Sequence, residues 1–155
     1  SGRLPTGGRD SMIRELQAQD LESLLRLYTH LHDNPIPAPS PALRALWREI
    51  MADPRHHIVG AWKDGRLVSS CVCVVVPNLT HEQRPYALVE NVVTDAAYRG
   101  RGLATACLEA ACGIARSASC YKVMLMTGSK KDATLRFYER AGFHQNDKTA
   151  FIRWL

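Results

Sequence analysis

Hydrophobic positions along this chain change period several times, and each change marks an element. Met12 to Leu16 predicts a short first strand. From Asp20 to Leu31 the apolar positions are Leu21, Leu24, Leu25, Leu27, Tyr28 and Leu31, a helical stripe. Four prolines then fall within residues 35–41, which forbids helix and predicts a semi-rigid loop. Ser40 before Pro41 reads as an N-cap followed by a first-turn proline. The helix it starts is predicted to reach about Ala52, with Leu43, Leu46, Trp47 and Ile50 inward and Asp53-Pro54 as its stop. Two strand-like runs, His56 to Trp62 and Arg66 to Val76, flank Lys63-Asp64-Gly65, and Asp-Gly between such runs predicts a hairpin. After a polar loop, Pro77 to Pro85, the run from Tyr86 to Thr94 predicts another strand, so strands two to four should form an antiparallel meander.

In the second half, Leu103, Ala106, Cys107, Ala110, Ala111 and Ile114 lie on one stripe of a helix expected to reach about Ser117. Tyr121 to Met126 is a continuous apolar run, consistent with a buried strand parallel to 86–94. Asp132 is placed to cap a short helix carrying Phe137 and Tyr138, and Gly142 sits where a helix end favours a left-handed residue. Phe143 should begin a closing strand, with Thr149 to Leu155 the last. The expected fold is α/β: one mixed sheet of about seven strands with helices on both faces. Residues 12–155 read as a single domain, preceded by a flexible tail or cloning remnant over 1–11.

Composition narrows the function. A chain of 155 residues with 46% hydrophobic residues can bury one real core. No apolar run has the length of a membrane span, and no secretory leader pattern opens the sequence. A net charge of +5 suits an anionic partner. The basic residues are scattered and not interleaved with aromatics, so neither nucleic acid nor a membrane is the expected partner. Cys71, Cys73, Cys107, Cys112 and Cys120 have no zinc or redox spacing and read as core residues of a reducing, cytoplasmic protein. The six histidines do not converge, and no metal is expected.

The chemistry concentrates between strand 86–94 and the helix after Gly102. There Tyr98-Arg99-Gly100-Arg101-Gly102 supplies two glycines, two arginines and the N-terminus of a helix. Free amides at the positive end of a helix dipole form an anion site. A Walker loop is absent. The dinucleotide fingerprint fails because Thr105 occupies its third glycine position. What remains is Arg99-x-x-Gly102-x-Ala104, followed downstream by Thr134-Leu-Arg-Phe-Tyr-Glu-Arg-Ala-Gly-Phe143. In this order the two motifs resemble those of the GCN5-related N-acetyltransferases (GNAT), and the resemblance spans about Met12 to Leu155. The alternative is a plain strand-to-helix turn with surface arginines.

The resemblance implies a splayed sheet and acetyl-CoA as co-substrate. It assigns the diphosphate to Arg99, Gly100, Arg101, Gly102, Leu103, Ala104 and Thr105. The backbones of Val92, Val93 and Thr94 would hold the pantetheine arm, with an N–H near Val92 meeting the thioester oxygen. Phe137 and Tyr138 would close the coenzyme site, and Thr134 stands where many members carry Asn. Tyr138 would protonate the departing thiolate, since a phenol with pKa about 10 is neutral where a thiol of about 8.5 ionises. Glu90, an acid inside an apolar run, is the candidate base; its alternatives are a structural ion pair or a role in orienting the acceptor.

The implied activity is acetyl transfer from acetyl-CoA to the primary amine of a small molecule, by direct attack through a tetrahedral intermediate. The acceptor site should involve residues 27–46, 77–86 and 145–149, with Arg84 a candidate partner for an anionic acceptor. Val89-Glu90-Asn91-Val92-Val93 and Cys120-Tyr121-Lys122-Val123 are similar to the glucosamine-6-phosphate N-acetyltransferases, although Asn91 stands where those usually have Asp. A protein or peptide amine and a non-catalytic acetyl-CoA sensor stay open, as does a homodimer.

Overall fold

The computed structural model describes residues 11–155. Of the expected tail only Ser11 is described, and it opens a strand; residues 1–10 lie outside the described residues. Five strands form one sheet in the order β1 (Ser11–Glu15), β2 (His56–Lys63), β3 (Arg66–Val76), β4 (Tyr86–Thr94), β5 (Val123–Leu125). The first four pair antiparallel, and β5 runs parallel to β4. Asp64 and Gly65, both with positive φ, make the predicted two-residue hairpin between β2 and β3.

Helices cover both faces. On one side α1 (Leu21–Leu27) and α2 (Pro41–Ala52) bury Leu24, Leu27 and Trp47 against Ile58, Val72 and Val93. Ser40 caps α2 as expected, its hydroxyl accepting from the Leu43 amide at 3.1 Å. Trp47 donates its indole N–H to the Ala18 carbonyl at 2.8 Å, which satisfies the polar end of a buried ring. A single turn between β3 and β4, α3 (Thr80–Gln83), holds His81, Glu82 and Gln83 at positive φ. On the other face α4 (Leu103–Ser117) and α5 (Asp132–Arg140) cover Val59, Val89, Cys71 and Cys73. No helix among the described residues is long and apolar enough to cross a membrane.

Several expectations are corrected. The sheet has five strands, not about seven, because residues 143–155 form no ladder. β-Forming composition alone does not make a strand, and β5 has only three residues. The helix expected over 20–31 is α1 with a 3-10 turn at either end. Leu46 is exposed, whereas Leu108, missed by the stripe, is fully buried. Asp132 makes no capping hydrogen bond; Lys131 holds the N-cap position of α5.

Two irregularities of β4 position the rest. Ser70 pairs with Val93 and Val72 with Glu90, so Asn91 and Val92 together oppose Cys71. That is a β-bulge, and Asn91 takes φ 51°, a conformation Asn tolerates better than most residues. Past the bulge the strand changes phase. Ala87 and Val89 pack beneath α4, but Val93 packs on the opposite face. The second irregularity is the partner on the other side. β5 meets β4 only at Ala87, Leu88 and Val89, and from Glu90 to Thr94 β4 is paired on its β3 side only.

Two measurements test this packing. Ser40→Ala should lower the unfolding free energy by about 1 kcal/mol in urea, with Ser40→Asn restoring it; an unchanged midpoint contradicts the cap. Burial pushes the thiols of Cys73 and Cys107 up to about 12 and that of Cys71 up as well. A thiol reagent at pH 8 should therefore label no more than Cys112 and Cys120 before unfolding, and all five afterwards.

Candidate functional site

A cleft of about 830 Å³ lies where β4 runs past the end of β5. Val92, Val93 and Thr94 form its β4 wall. Arg99, Gly100, Gly102, Leu103, Ala104 and Thr105 form the turn and first helical residues at one end. Thr134, Phe137 and Tyr138 face them from α5. Of the residues expected to bind the coenzyme, Arg101 alone is outside the lining. Its guanidinium folds back over the Tyr98 ring, 5.0 Å from the centroid, and toward the Ala97 carbonyl at 3.4 Å.

The backbone of the turn is available. Among the described residues the first amide of this stretch with a protein acceptor is that of Ala106, which donates to the Gly102 carbonyl at 3.0 Å. The amides from Arg99 to Thr105 have none. Gly100 and Gly102 have φ of 74° and 76°, and a Cβ at either would meet no protein atom within 4 Å. The positive φ, not crowding inside the protein, requires glycine here. A side chain added there would stand in open space beside the free amides. These features fit a diphosphate.

The β4 edge is also available, at alternate residues. Asp95 donates its amide to the Val68 carbonyl at 2.8 Å, so Asp95 and Val93 turn their backbone groups toward β3. The Val93 carbonyl accepts from Ser69 Oγ at 3.0 Å, on that same side. Val92 and Thr94 therefore present theirs to the edge that β5 leaves open. Of the three backbones expected to hold an extended ligand arm, Val93 is turned away. Arg99 Nε reaches the Thr94 carbonyl at 3.4 Å.

Tyr138 is placed by the way α5 ends. The Phe143 amide donates to the Tyr138 carbonyl and the Gly142 amide to that of Glu139, each at 3.0 Å. With Gly142 at φ 95°, this is the paired hydrogen-bond ending that requires a left-handed residue. Phe143 then stacks edge-on against Tyr138, with ring centroids 6.3 Å apart, and Phe137 meets it from the other side at 5.0 Å. The Tyr138 hydroxyl has no hydrogen-bond partner in the protein among the described residues. Burial raises its pKa above the usual 10, with the neighbouring Cys71 a smaller contribution. It is thus a proton donor across the physiological range. The Thr134 hydroxyl accepts from Ser129 Oγ at 3.1 Å, which leaves its own proton free to donate.

Other expected residues fall outside the cleft. Glu90 is exposed and not part of the lining, at the first position past the last β4–β5 pair. Arg84 precedes β4, and its guanidinium donates to the Ser119 and Cys120 carbonyls at 3.1 Å, fastening the end of α4. Residues 145–149 are exposed and do not line the cleft.

Sequence reasoning gave no coenzyme-site role to His30, Tyr98 or Arg140, all of which line the cleft. The Ala96 amide donates to His30 Nδ1 at 3.3 Å, which puts the ring proton on Nε2, 3.6 Å from Asp95 Oδ2. Asp95 Oδ1 accepts from the Ala97 amide at 2.9 Å, and Tyr98 donates its hydroxyl to Asp64 Oδ2 at 3.1 Å. The approach to the glycine turn is thereby tied to the 3-10 turn that follows α1 and to the β2–β3 hairpin. Asp95 just before a tight turn was the available signal, since Asp caps such turns.

Comparison with known proteins agrees with this geometry. The Acetyltransferase (GNAT) family model matches residues 21–143. The chain belongs to the GNAT family. This GNAT protein is 34% identical over 145 residues to a Trypanosoma brucei brucei protein named glucosamine 6-phosphate N-acetyltransferase, covering 90% of this chain and 92% of that one. It is 31% identical over 140 residues to glucosamine 6-phosphate N-acetyltransferase 1 of Oryza sativa subsp. japonica, covering 88% and 82%. A solved structure from Agrobacterium tumefaciens str. C58, provisionally named an acetyltransferase, superposes with a TM-score of 0.84 at 39% identity, covering 92% of this chain and 99% of that one. The GNAT chain is accordingly an N-acetyltransferase, of a family that uses acetyl-CoA as co-substrate.

Gly102→Val should weaken coenzyme A binding by roughly tenfold or more in calorimetry, while left-handed strain costs about 1–2 kcal/mol of stability. Unchanged affinity in a folded variant contradicts the assignment of these amides.

Proposed function

We propose that this protein transfers the acetyl group of acetyl-CoA to the primary amine of a small molecule, with glucosamine 6-phosphate the leading acceptor. The observation that carries the reading is the stretch of β4 from Glu90 to Thr94. On the side away from β3 it has no partner strand among the described residues, and it runs into the unpartnered amides at the start of α4. The names of the trypanosomal and rice relatives support the choice of acceptor.

Acetyl-CoA supplies a thioester carbonyl already activated toward amines. The amides of Arg99 to Thr105 hold its diphosphate, with the Arg99 side chain alongside. Val92 and Thr94 hold the pantetheine through their outward backbone groups, and Thr134 adds a hydroxyl from α5. The Val92 amide donates to the carbonyl oxygen as negative charge develops there, the form of stabilisation that contributes most in acyl transfer. The amine nitrogen bonds to the carbonyl carbon and the carbon–sulfur bond breaks. Glu90, facing water and not an apolar wall, takes the amine proton through solvent. Tyr138 gives its proton to the departing sulfur and recovers one from water.

The test is release of free coenzyme A thiol from acetyl-CoA across a panel of amines that includes glucosamine 6-phosphate. Release should require an amine. Tyr138→Phe should lower kcat by about 10²-fold or more with the KM for acetyl-CoA nearly unchanged. Because burial raises the Tyr138 pKa above its usual 10, any loss of rate that traces to this phenol should come at more alkaline pH than for a free tyrosine. Glu90→Gln should lower kcat, with the KM for acetyl-CoA nearly unchanged. Binding of acetyl-CoA with no amine-dependent thiol release would identify a sensor module instead. Release with peptides but not with small amines would move the acceptor to a protein.

A further inference from the structure

Ser69 is fully buried on β3, and it lies opposite Thr94, the last residue of β4 and part of the cleft wall. Val68 and Asp95 form the neighbouring hydrogen-bonded rung, so Ser69 and Thr94 are a non-hydrogen-bonded pair, whose side chains come closest. Ser69 Oγ is 2.8 Å from Thr94 Oγ1 and 3.0 Å from the Val93 carbonyl oxygen. Ser69 shares its face of β3 with Cys71, whose thiol reaches the Cys107 carbonyl of α4. Thr94 therefore carries its hydroxyl on the α4 face of the sheet.

These contacts fix the direction of each proton. A carbonyl oxygen can only accept, and two oxygens 3.0 Å apart repel unless a hydrogen lies between them. The single proton of Ser69 therefore goes to Val93. The contact with Thr94 must then use the Thr94 proton, donated inward to Ser69 Oγ. The second Ser69 lone pair is left for the Cys107 thiol, which is hydrogen-bonded to it. Thr94 keeps its own lone pairs and has no hydrogen left to give. It is half-buried, and among the described residues no other group bonds its hydroxyl. The opposite wall has the reverse polarity, since Thr134 accepts from Ser129 and retains a free proton.

We propose that Thr94 Oγ1 accepts a hydrogen bond from the hydroxyl of the pantetheine arm, and that Ser69 is the positioning residue that fixes its polarity. The inference rests on the reading of the cleft as the coenzyme site and adds a side-chain contact to it. The outward backbone groups of β4 lie in the plane of the sheet and suit the amides of an extended arm. A side chain on the α4 face takes a group that projects out of that plane. Thr94 is the β4 residue closest in sequence to the glycine turn, so the part of the arm beside it is the part joined to the diphosphate. In coenzyme A that part is the pantoyl unit, which carries the one hydroxyl of the arm. An acceptor-only threonine selects such a donor, whereas a carbonyl placed there would meet lone pairs.

Calorimetry with coenzyme A and with an analogue lacking the pantoyl hydroxyl tests the contact. The wild type should bind coenzyme A about three- to tenfold more tightly than the analogue, the range of one hydrogen bond. Thr94→Val should bind the two equally, and Thr94→Ser should restore the preference. Ser69→Ala should narrow it, because the Thr94 proton is then free to turn toward the cleft. A merely structural role for either residue would weaken both ligands alike and leave their ratio unchanged, which overturns that residue's part in the proposal. The wild type alone keeps the test decisive if a variant does not fold, since equal affinity for the two compounds overturns the proposal. A preference that survives in Thr94→Val overturns it equally. A wild type that binds neither compound overturns the reading of the cleft as well.

Discussion

The constraint on which this molecule depends is that β4 is a central strand for half its length and an edge strand for the other half. Backbone N–H and C=O groups in a sheet interior are paired, and leaving them unpaired away from water is costly. Here β5 pairs with Ala87 to Val89 and then stops, while β4 continues to Thr94. The groups left over at Val92 and Thr94 face the open cleft. Such an edge is stable only if short and solvated, or if something extended lies along it. A pantetheine arm, with its own amide groups, can do so as a strand would.

The rest of the site is arranged around that half-open edge. The bulge at Asn91 and Val92 changes which face the strand presents, so that Val92 packs toward α4 and Tyr138 while Val93 anchors the opposite core. Asp95 leaves the strand and immediately caps the next turn, with His30 and Tyr98 holding that turn from either side. Across the cleft, the glycine-terminated end of α5 places Phe143 against Tyr138 and sets the position of the phenol. Each tether is a single hydrogen bond or ring contact, and those to His30 and Asp64 reach across the sequence. The site therefore gets its rigidity from turn and cap chemistry more than from the core beneath it.

What was legible in the sequence follows from the range of the physics involved. Short-range signals were readable: Ser40-Pro41 as a cap, Asp64-Gly65 as a hairpin, and Gly142 as a helix end, because each depends on residues a few positions apart. The glycine-arginine turn was readable for the same reason. The extent of pairing was not. Nothing in Tyr121 to Met126 announces that only Val123 to Leu125 will find rungs, since that depends on where β4 turns away. Nor did β-forming residues at 149–155 reveal that no edge within their own fold receives them. Arg84 shows a related limit: a lone arginine near a predicted loop is equally compatible with a ligand and with backbone carbonyls of a neighbouring loop, here those just past α4.

Amide hydrogen exchange of the full chain, with and without acetyl-CoA, tests the central claim most directly. Binding should slow exchange at Val92, Thr94 and the amides from Arg99 to Thr105, leaving Val93, already turned to β3, little changed. Slowed exchange elsewhere with these amides unaffected would contradict a ligand lying along the open half of β4.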